Sequence, residues 1–290
     1  MSHSFYVNNL SGLSYKKIAE SLGIAKLSFV DEVQVPEDGA WPQGTSYLYI
    51  DETSVRPLEI SYDNDVLQVR IFQGSSLDDY ILALRLVKTI AEHYNVLIHP
   101  EDNEAMDIAQ FIETYNEQWA KDHCLTMVRM LVSMYQQEKG EFTMAGVRRE
   151  LKAGPRFMES LLRHSDEFST KFFERFKRLQ YFDKEEDIYV AGAKRLTSKD
   201  GTREAVFAVW TEGVRTLISG DVDVVILQGL SDPELHIPIA LDSLDLVLAD
   251  EVYWLGDSWL LLPALEDDPW RQIATAAEAY QLDEDYRDIH

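Results

Sequence analysis

The stretch 58–94, LEISYDNDVLQVRIFQGSSLDDYILALRLVKTIAEHY, constrains the fold more than any other part of the chain. Apolar and polar residues alternate from Leu58 to Tyr62 and again from Val66 to Phe72. That period of two belongs to strands with one buried face. Asp63-Asn64-Asp65 between them is turn chemistry, so 58–73 is predicted to be a hairpin. From Leu77 the period changes, and Leu77, Tyr80, Ile81, Leu84, Val87, Ala91 and Tyr94 fall on one helical face. Ser75 or Ser76 is placed to cap this helix, with Asp78 and Asp79 in the first turn where the helix dipole favours negative charge.

The same order recurs at 251–280, EVYWLGDSWLLLPALEDDPWRQIATAAEAY: strand, turn, strand, acidic cap, helix. It suggests a duplicated β-meander-plus-helix unit, although hairpin-then-helix is also a common local order. Elsewhere SFYVNN, KLSFVDEVQV and SYLYI read as strands, and Tyr15–Leu22 as a short helix stopped by Gly23. The middle reads as helical. Ile108, Phe111, Ile112, Tyr115 and Trp119 form one stripe, and Leu125, Val128, Leu131, Val132 and Tyr135 another. Shorter helices are expected around 144–152, 156–164 and 168–180, with Gly154-Pro155 between the first two. From Ile188 strands return: IYVAGAKRL, AVFAVW, VRTLIS, DVVILQG and HIPIAL, before the terminal hairpin and a helix opening near Asp268-Pro269. The expected fold class is therefore α+β, with antiparallel sheet units at both ends and a helical insert. The segments are an N-terminal α/β unit at 1–120, a locally basic insert at 121–186, and a β-rich unit at 187–290.

Of the 290 residues, 46% are hydrophobic, enough to bury a sizeable core, and the formal net charge is −24. The charge is uneven. Residues 1–147 are acidic by about 12 units, 148–203 basic by about 4, and 204–290 acidic by about 16. Such a surface repels nucleic acid and anionic membranes and attracts basic partners. The single cysteine, Cys124, excludes a disulfide framework within the chain and fits a reducing compartment. With no basic-then-apolar leader at the N-terminus and no apolar run of spanning length, the expected location is the cytoplasm.

Gly256-Asp257-Ser258 resembles the nucleophile box of the GDSL esterases. A serine nucleophile needs a base in hydrogen-bond reach and an oxyanion hole. In that family the box follows the first strand, and a later Asp-x-x-His block supplies the base. Here the box lies near the end of the chain, only His290 follows it, and Asp285-Tyr286-Arg287-Asp288 carries aspartate where the block needs histidine. The flanks are strongly β-forming, so the expectation is a two-residue Gly-Asp loop in a II′ turn, with glycine supplying the positive φ.

Three further clusters and one cysteine carry chemistry. His93, His99, Glu101, Asp102 and Glu104 could offer nitrogen and oxygen ligands to a divalent metal. Their spacing matches no zinc or calcium motif, and ordinary helix-end and turn roles account for them, so no metal is expected. Asp221 and Asp223 are read as the water-facing side of an edge strand. Cys124 is read as a buried thiol. Last, FTMAGVRRELKAGPRFMESLLRHS superficially resembles a helix-turn-helix, with Arg148, Arg149 and Lys152 on it and Lys171, Arg175 and Arg178 on the helix that follows. These groups could contact a partner or nucleic acid, but the flanking acidity favours pairing with acidic protein surface.

Walker, Rossmann, kinase, HExxH and CxxC signatures are all missing, and no cofactor is expected. The function expected from these features is that of a non-catalytic cytoplasmic binding or regulatory protein, of inhibitor or immunity type. Its acidic surface would receive a basic protein partner or a second copy of the chain. The alternatives are a nucleic-acid-binding protein using helices 144–180, and a hydrolase with dispersed residues or a metal-assisted site near His99.

Overall fold

The computed structural model describes residues 2–23, 27–30, 38–163, 167–197, 201–248 and 253–282. It is an α+β protein of two compact units. The first comprises residues 1–139, 144–150 and 169–180, and the second 140–143, 151–168 and 181–290. The stretch 121–186 thus contributes to both.

The first unit is built on β1 (His3–Val7), α1 (Tyr15–Leu22), β2 (Leu27–Phe29), β3 (Gly44–Ile50), β4 (Leu58–Asp63), β5 (Val66–Ile71), α2 (Leu77–Tyr94), β6 (Ile98–Pro100), α3 (Ile108–Thr114) and α4 (Glu117–Glu138). Its strands form one six-stranded sheet in the order β2-β3-β4-β5-β1-β6, antiparallel throughout. The expected hairpin is present. Asp63 pairs with Val66 across a two-residue turn, and Asn64 and Asp65 both hold positive φ, 49° and 60°, a conformation these residue types tolerate. Alternation then puts Leu58, Ile60, Leu67, Val69 and Ile71 in the core.

Helix α2 lies on that face and buries Leu82, Leu86, Val87 and Ile90, each burial contributing about 1.5–3 kcal/mol. Ser76 is its cap: the Ser76 hydroxyl accepts from the Asp79 N–H at 3.3 Å, and the Asp79 carboxylate accepts from the Ser76 N–H at 2.9 Å. The 108–119 stripe proves to be two helices, because α3 ends at its C-cap Tyr115 and Asn116 caps α4 by accepting from the Trp119 N–H at 3.0 Å. Ile112 and Leu125, read as core, are 47% and 39% exposed. Of the strand expected at 26–35, Leu27–Phe29 is present, and 31–35 lies outside the described residues.

No helix forms over 144–152. Met144 ends β7 (Phe142–Met144), and Leu151 begins β8 (Leu151–Ala153). Between them the side chain of Gln180 replaces helical hydrogen bonds. Its amide oxygen accepts from the Arg148 and Arg149 N–H groups, both at 2.9 Å. Its amide nitrogen donates to the Arg149 carbonyl at 3.0 Å, to which Gly146 N–H also donates at 3.1 Å. A Cβ on Gly146 would lie 2.4 Å from the Gln180 side chain, so this loop needs glycine there.

The second unit continues with α5 (Pro155–Leu162), α6 (Phe168–Tyr181, whose residues 169–180 belong to the first unit), β9 (Tyr189–Val190), β10 (Lys194–Thr197), β11 (Glu204–Thr211), β12 (Thr216–Ser219), β13 (Val224–Gln228), β14 (His236–Ala240), α7 (Leu244–Leu248), β15 (Tyr253–Trp254), β16 (Trp259–Leu262) and α8 (Asp267–Glu278). Two four-stranded sheets result, β10-β11-β13-β14 and β15-β16-β12-β9. Each contains one parallel pairing, β11 with β13 and β12 with β9. The stretch read as one strand, 188–196, breaks at Gly192 and serves both sheets. Asp221 and Asp223 do not lie on an edge strand. They precede β13, which sits between β11 and β14, and the Asp223 carboxylate accepts from the Val206 N–H at 2.7 Å. Trp210 and Trp270 meet edge to face at 5.0 Å in the core.

Candidate functional site

The Gly256-Asp257-Ser258 box is the tip of the β15–β16 hairpin. Leu255 N–H donates to the Trp259 carbonyl at 2.8 Å, so three residues connect the strands and not the expected two. Gly256 has φ +89°, and a Cβ there would stand 2.8 Å from the Leu151 side chain. Asp257 is the chemically committed member. Its Oδ1 accepts from the Gly154 N–H at 3.1 Å and the Phe157 N–H at 2.9 Å. Helix α5 has glycine at its N-cap and no side-chain cap of its own, so Asp257 supplies that acceptor from about a hundred residues away. Burial pushes the Asp257 carboxyl up, while the three backbone N–H groups at the helix start and the Arg156 guanidinium pull it down. Arg156 itself pairs with Asp242 at 2.6 Å and lies over the Trp254 ring. This is the geometry of a capped helix.

The acidic stretch gives a different picture. Residues 89–120 hold seven carboxylates and no lysine or arginine. Ile98 and Met106 exchange backbone hydrogen bonds at 3.0 and 2.9 Å, closing residues 99–105 into a loop whose first two residues, His99 and Pro100, complete β6. A polar cleft of about 400 Å³ is lined by this loop and α3, with Glu104 and Glu113 as its carboxylates beside Asn103, Met106, Gln110 and Thr114. Both glutamates are exposed, and neither forms an ion pair among the described residues. Asp107, by contrast, is used as the α3 cap and accepts from Gln110 N–H at 2.9 Å.

At the base of the loop, Glu101 and Asp102 flank His3. Glu101 Oε1 is 3.7 Å from His3 Nδ1, and Asp102 Oδ1 is 3.8 Å from His3 Nε2. His3 is 7% exposed, packed edge-on against Phe5 and Trp119 at 4.7 and 5.0 Å and tilted against Tyr115 at 5.7 Å. Burial pulls the imidazole below its usual range; Asp102 and Glu101 oppose this, and His123 adds to it. The Tyr115 hydroxyl donates to Asp102 and accepts from Asn103 at 2.8 Å. Burial pushes that phenol up, so it stays a donor.

The proposed ligand set at 93–104 is therefore divided. His93 ends α2 against Tyr94. His99 pairs with Tyr6 across the β1–β6 ladder, whereas Phe5 pairs with Pro100, and strand alternation places His99 on the face opposite His3. Glu101 and Asp102 meet His3, and Glu104 lines the cleft. Among the described residues no group of three or more His, Cys, Asp or Glu is placed to hold a metal. His3 was not singled out in the sequence; its signal is that it falls in phase with the buried Phe5 and Val7.

The basic residues are spread over different environments. Arg148 pairs with Asp51 at 3.1 Å. Arg149 donates to the Gln180 carbonyl at 2.8 Å. Arg175 is buried, Lys171 and Arg178 are half-buried, and Lys152 is exposed. Cys124 is buried, with its thiol pushed up to about 12 by burial, then by Asp79. Among the described residues no helix is long and apolar enough to cross a membrane.

A family model described as Domain of unknown function (DUF4299) matches residues 2–225, and the chain belongs to that family. Neither the curated proteins nor the solved structures contain a match.

Proposed function

We propose that the protein is a non-catalytic, cytoplasmic binding protein whose acidic surface receives a basic protein partner. The supporting observation is the cleft of the 99–105 loop and α3, where Glu104 and Glu113 remain uncommitted in a stretch without lysine or arginine. A lysine or arginine side chain entering it would meet two carboxylates beside the polar side chains of Asn103 and Gln110. The acidic field of the whole chain would speed the approach. The inhibitor or immunity type is one form of this reading, in which complementary charge steers and selects the partner.

The test uses the full chain and an octa-arginine peptide as probe. Glu104→Gln/Glu113→Gln is compared with Glu20→Gln/Glu138→Gln, which removes the same charge elsewhere. The reading expects the cleft pair to weaken binding at least about tenfold, or about 1.4 kcal/mol, and the control pair far less. Equal effects of the two pairs would reduce the interaction to diffuse charge and overturn it. Duplex DNA binding lost on Arg148→Ala/Arg149→Ala/Lys152→Ala would replace it with the nucleic-acid reading.

A further inference from the structure

The His3 imidazole has a carboxylate oxygen off each ring nitrogen, at 3.7 and 3.8 Å. Both distances exceed a hydrogen bond by roughly 0.6–1 Å. His3 Nε2 is buried and has no hydrogen-bond partner among the described residues. A neutral imidazole offers one N–H and one lone pair, so it can donate to only one of these carboxylates and faces the other with like polarity. An imidazolium donates from both nitrogens. The arrangement is thus complementary to the protonated ring, yet the aromatic walls of Phe5, Tyr115 and Trp119 exclude the water that would stabilise that charge.

We propose that His3 is a proton-operated latch for the 99–105 loop: neutral, it leaves Glu101 and Asp102 at arm's length, and protonated, it draws both onto its ring and tightens the loop that walls the cleft. The groups facing it are Glu101 and Asp102 from the loop, Tyr115 just past the end of α3, and Trp119 and His123 from α4. Asn103 transmits the movement. It follows Asp102 directly, bonds the Tyr115 hydroxyl that also bonds Asp102, and lines the cleft. Because burial holds the imidazole below its usual range, the latch closes only on acidification and is open at neutral pH. Closing adds one positive charge beside the cleft, so a basic partner would be released on acidification. That consequence rests on the function proposed above; the loop movement itself does not.

The test is hydrogen exchange of the full-length protein, without any partner, from pH 5 to 7.5. Rates for Asn103–Met106 are corrected for intrinsic pH dependence, and the His3 ring is followed in parallel by NMR. The expected result is protection that rises at least about threefold as His3 takes up its proton. His3→Gln should abolish the transition. Glu101→Gln/Asp102→Asn, which changes only surface carboxylates and so decides the matter if His3→Gln fails to fold, should abolish it too and move the His3 midpoint further down. Protection independent of pH, or a transition that survives the carboxylate pair substitution, would overturn the latch. Octa-arginine binding measured separately distinguishes failure of the latch from failure of the binding reading.

Discussion

Replacing Asp257 by alanine tests the most explicit structural claim, that a hairpin tip caps a helix distant in sequence. The carboxylate accepts from Gly154 N–H at 3.1 Å and Phe157 N–H at 2.9 Å. A helix cap is worth about 0.5–2 kcal/mol, and a donor left unsatisfied in a part-buried site costs about 1–3 kcal/mol. Water entering the vacated space recovers some of this, so a loss of about 2–3 kcal/mol is expected for Asp257→Ala. At roughly 2–4 °C per kcal/mol for a protein of this size, the melting midpoint should fall by about 5–10 °C. Asp257→Asn retains a carbonyl acceptor. Burial has already raised the carboxyl's pKa, so the ionised group gains little over a neutral one, and asparagine should cost less than about 1 kcal/mol. Ser258→Ala should stay within about 0.5 kcal/mol. The assay is thermal and urea unfolding, with hydrogen exchange across 155–162 to localise the loss. Two outcomes refute the reasoning: Asp257→Ala indistinguishable from wild type, or Ser258→Ala costing as much.

Gly256→Val should destabilise by more than the roughly 1–2 kcal/mol of positive-φ strain, because its Cβ would also press on Leu151 at 2.8 Å; urea midpoints measure this. Asp79 is fully buried and its carboxyl is pushed up to about 6 from 3.8. The folded state therefore binds more protons than the unfolded chain between these values, and stability should fall by about 3 kcal/mol as pH rises from 4 through 6. Asp79→Asn should flatten that dependence in pH-resolved urea unfolding; an unchanged slope counts against it. Random duplex DNA should bind more weakly than about 100 μM near 150 mM salt in fluorescence anisotropy, since Arg148 and Arg149 are occupied by Asp51 and the Gln180 carbonyl.

The period-two and helical patterns made the 58–94 hairpin and helix legible down to the two serines of which Ser76 is the cap, because burial and local propensity agree there. The 144–152 segment was misread because its apolar and basic residues mimic a helix, while the side chain that holds it open, Gln180, lies about 30 residues downstream. The same limit hid the candidate site. His3 reaches Glu101 and Asp102 only because β1 pairs with β6, and no spacing rule connects residue 3 with residue 101. Glu101, Asp102 and Glu104 could be read as candidates from their clustering, but not the partition that gives two of them to His3 and one to the cleft.

The dependence of α5 on Asp257 also sets an order of assembly. During synthesis residues 154–162 leave the ribosome long before residue 257 exists, so the first turn of α5 must wait uncapped for the terminal hairpin. The family match ends at residue 225, inside β13 (Val224–Gln228). A fragment cut there would split a central strand, strip β16 from β12 and leave the α5 N–H groups without their acceptor. The hydrogen bonds of the second unit close only when β16 and the tip of the terminal hairpin have been made.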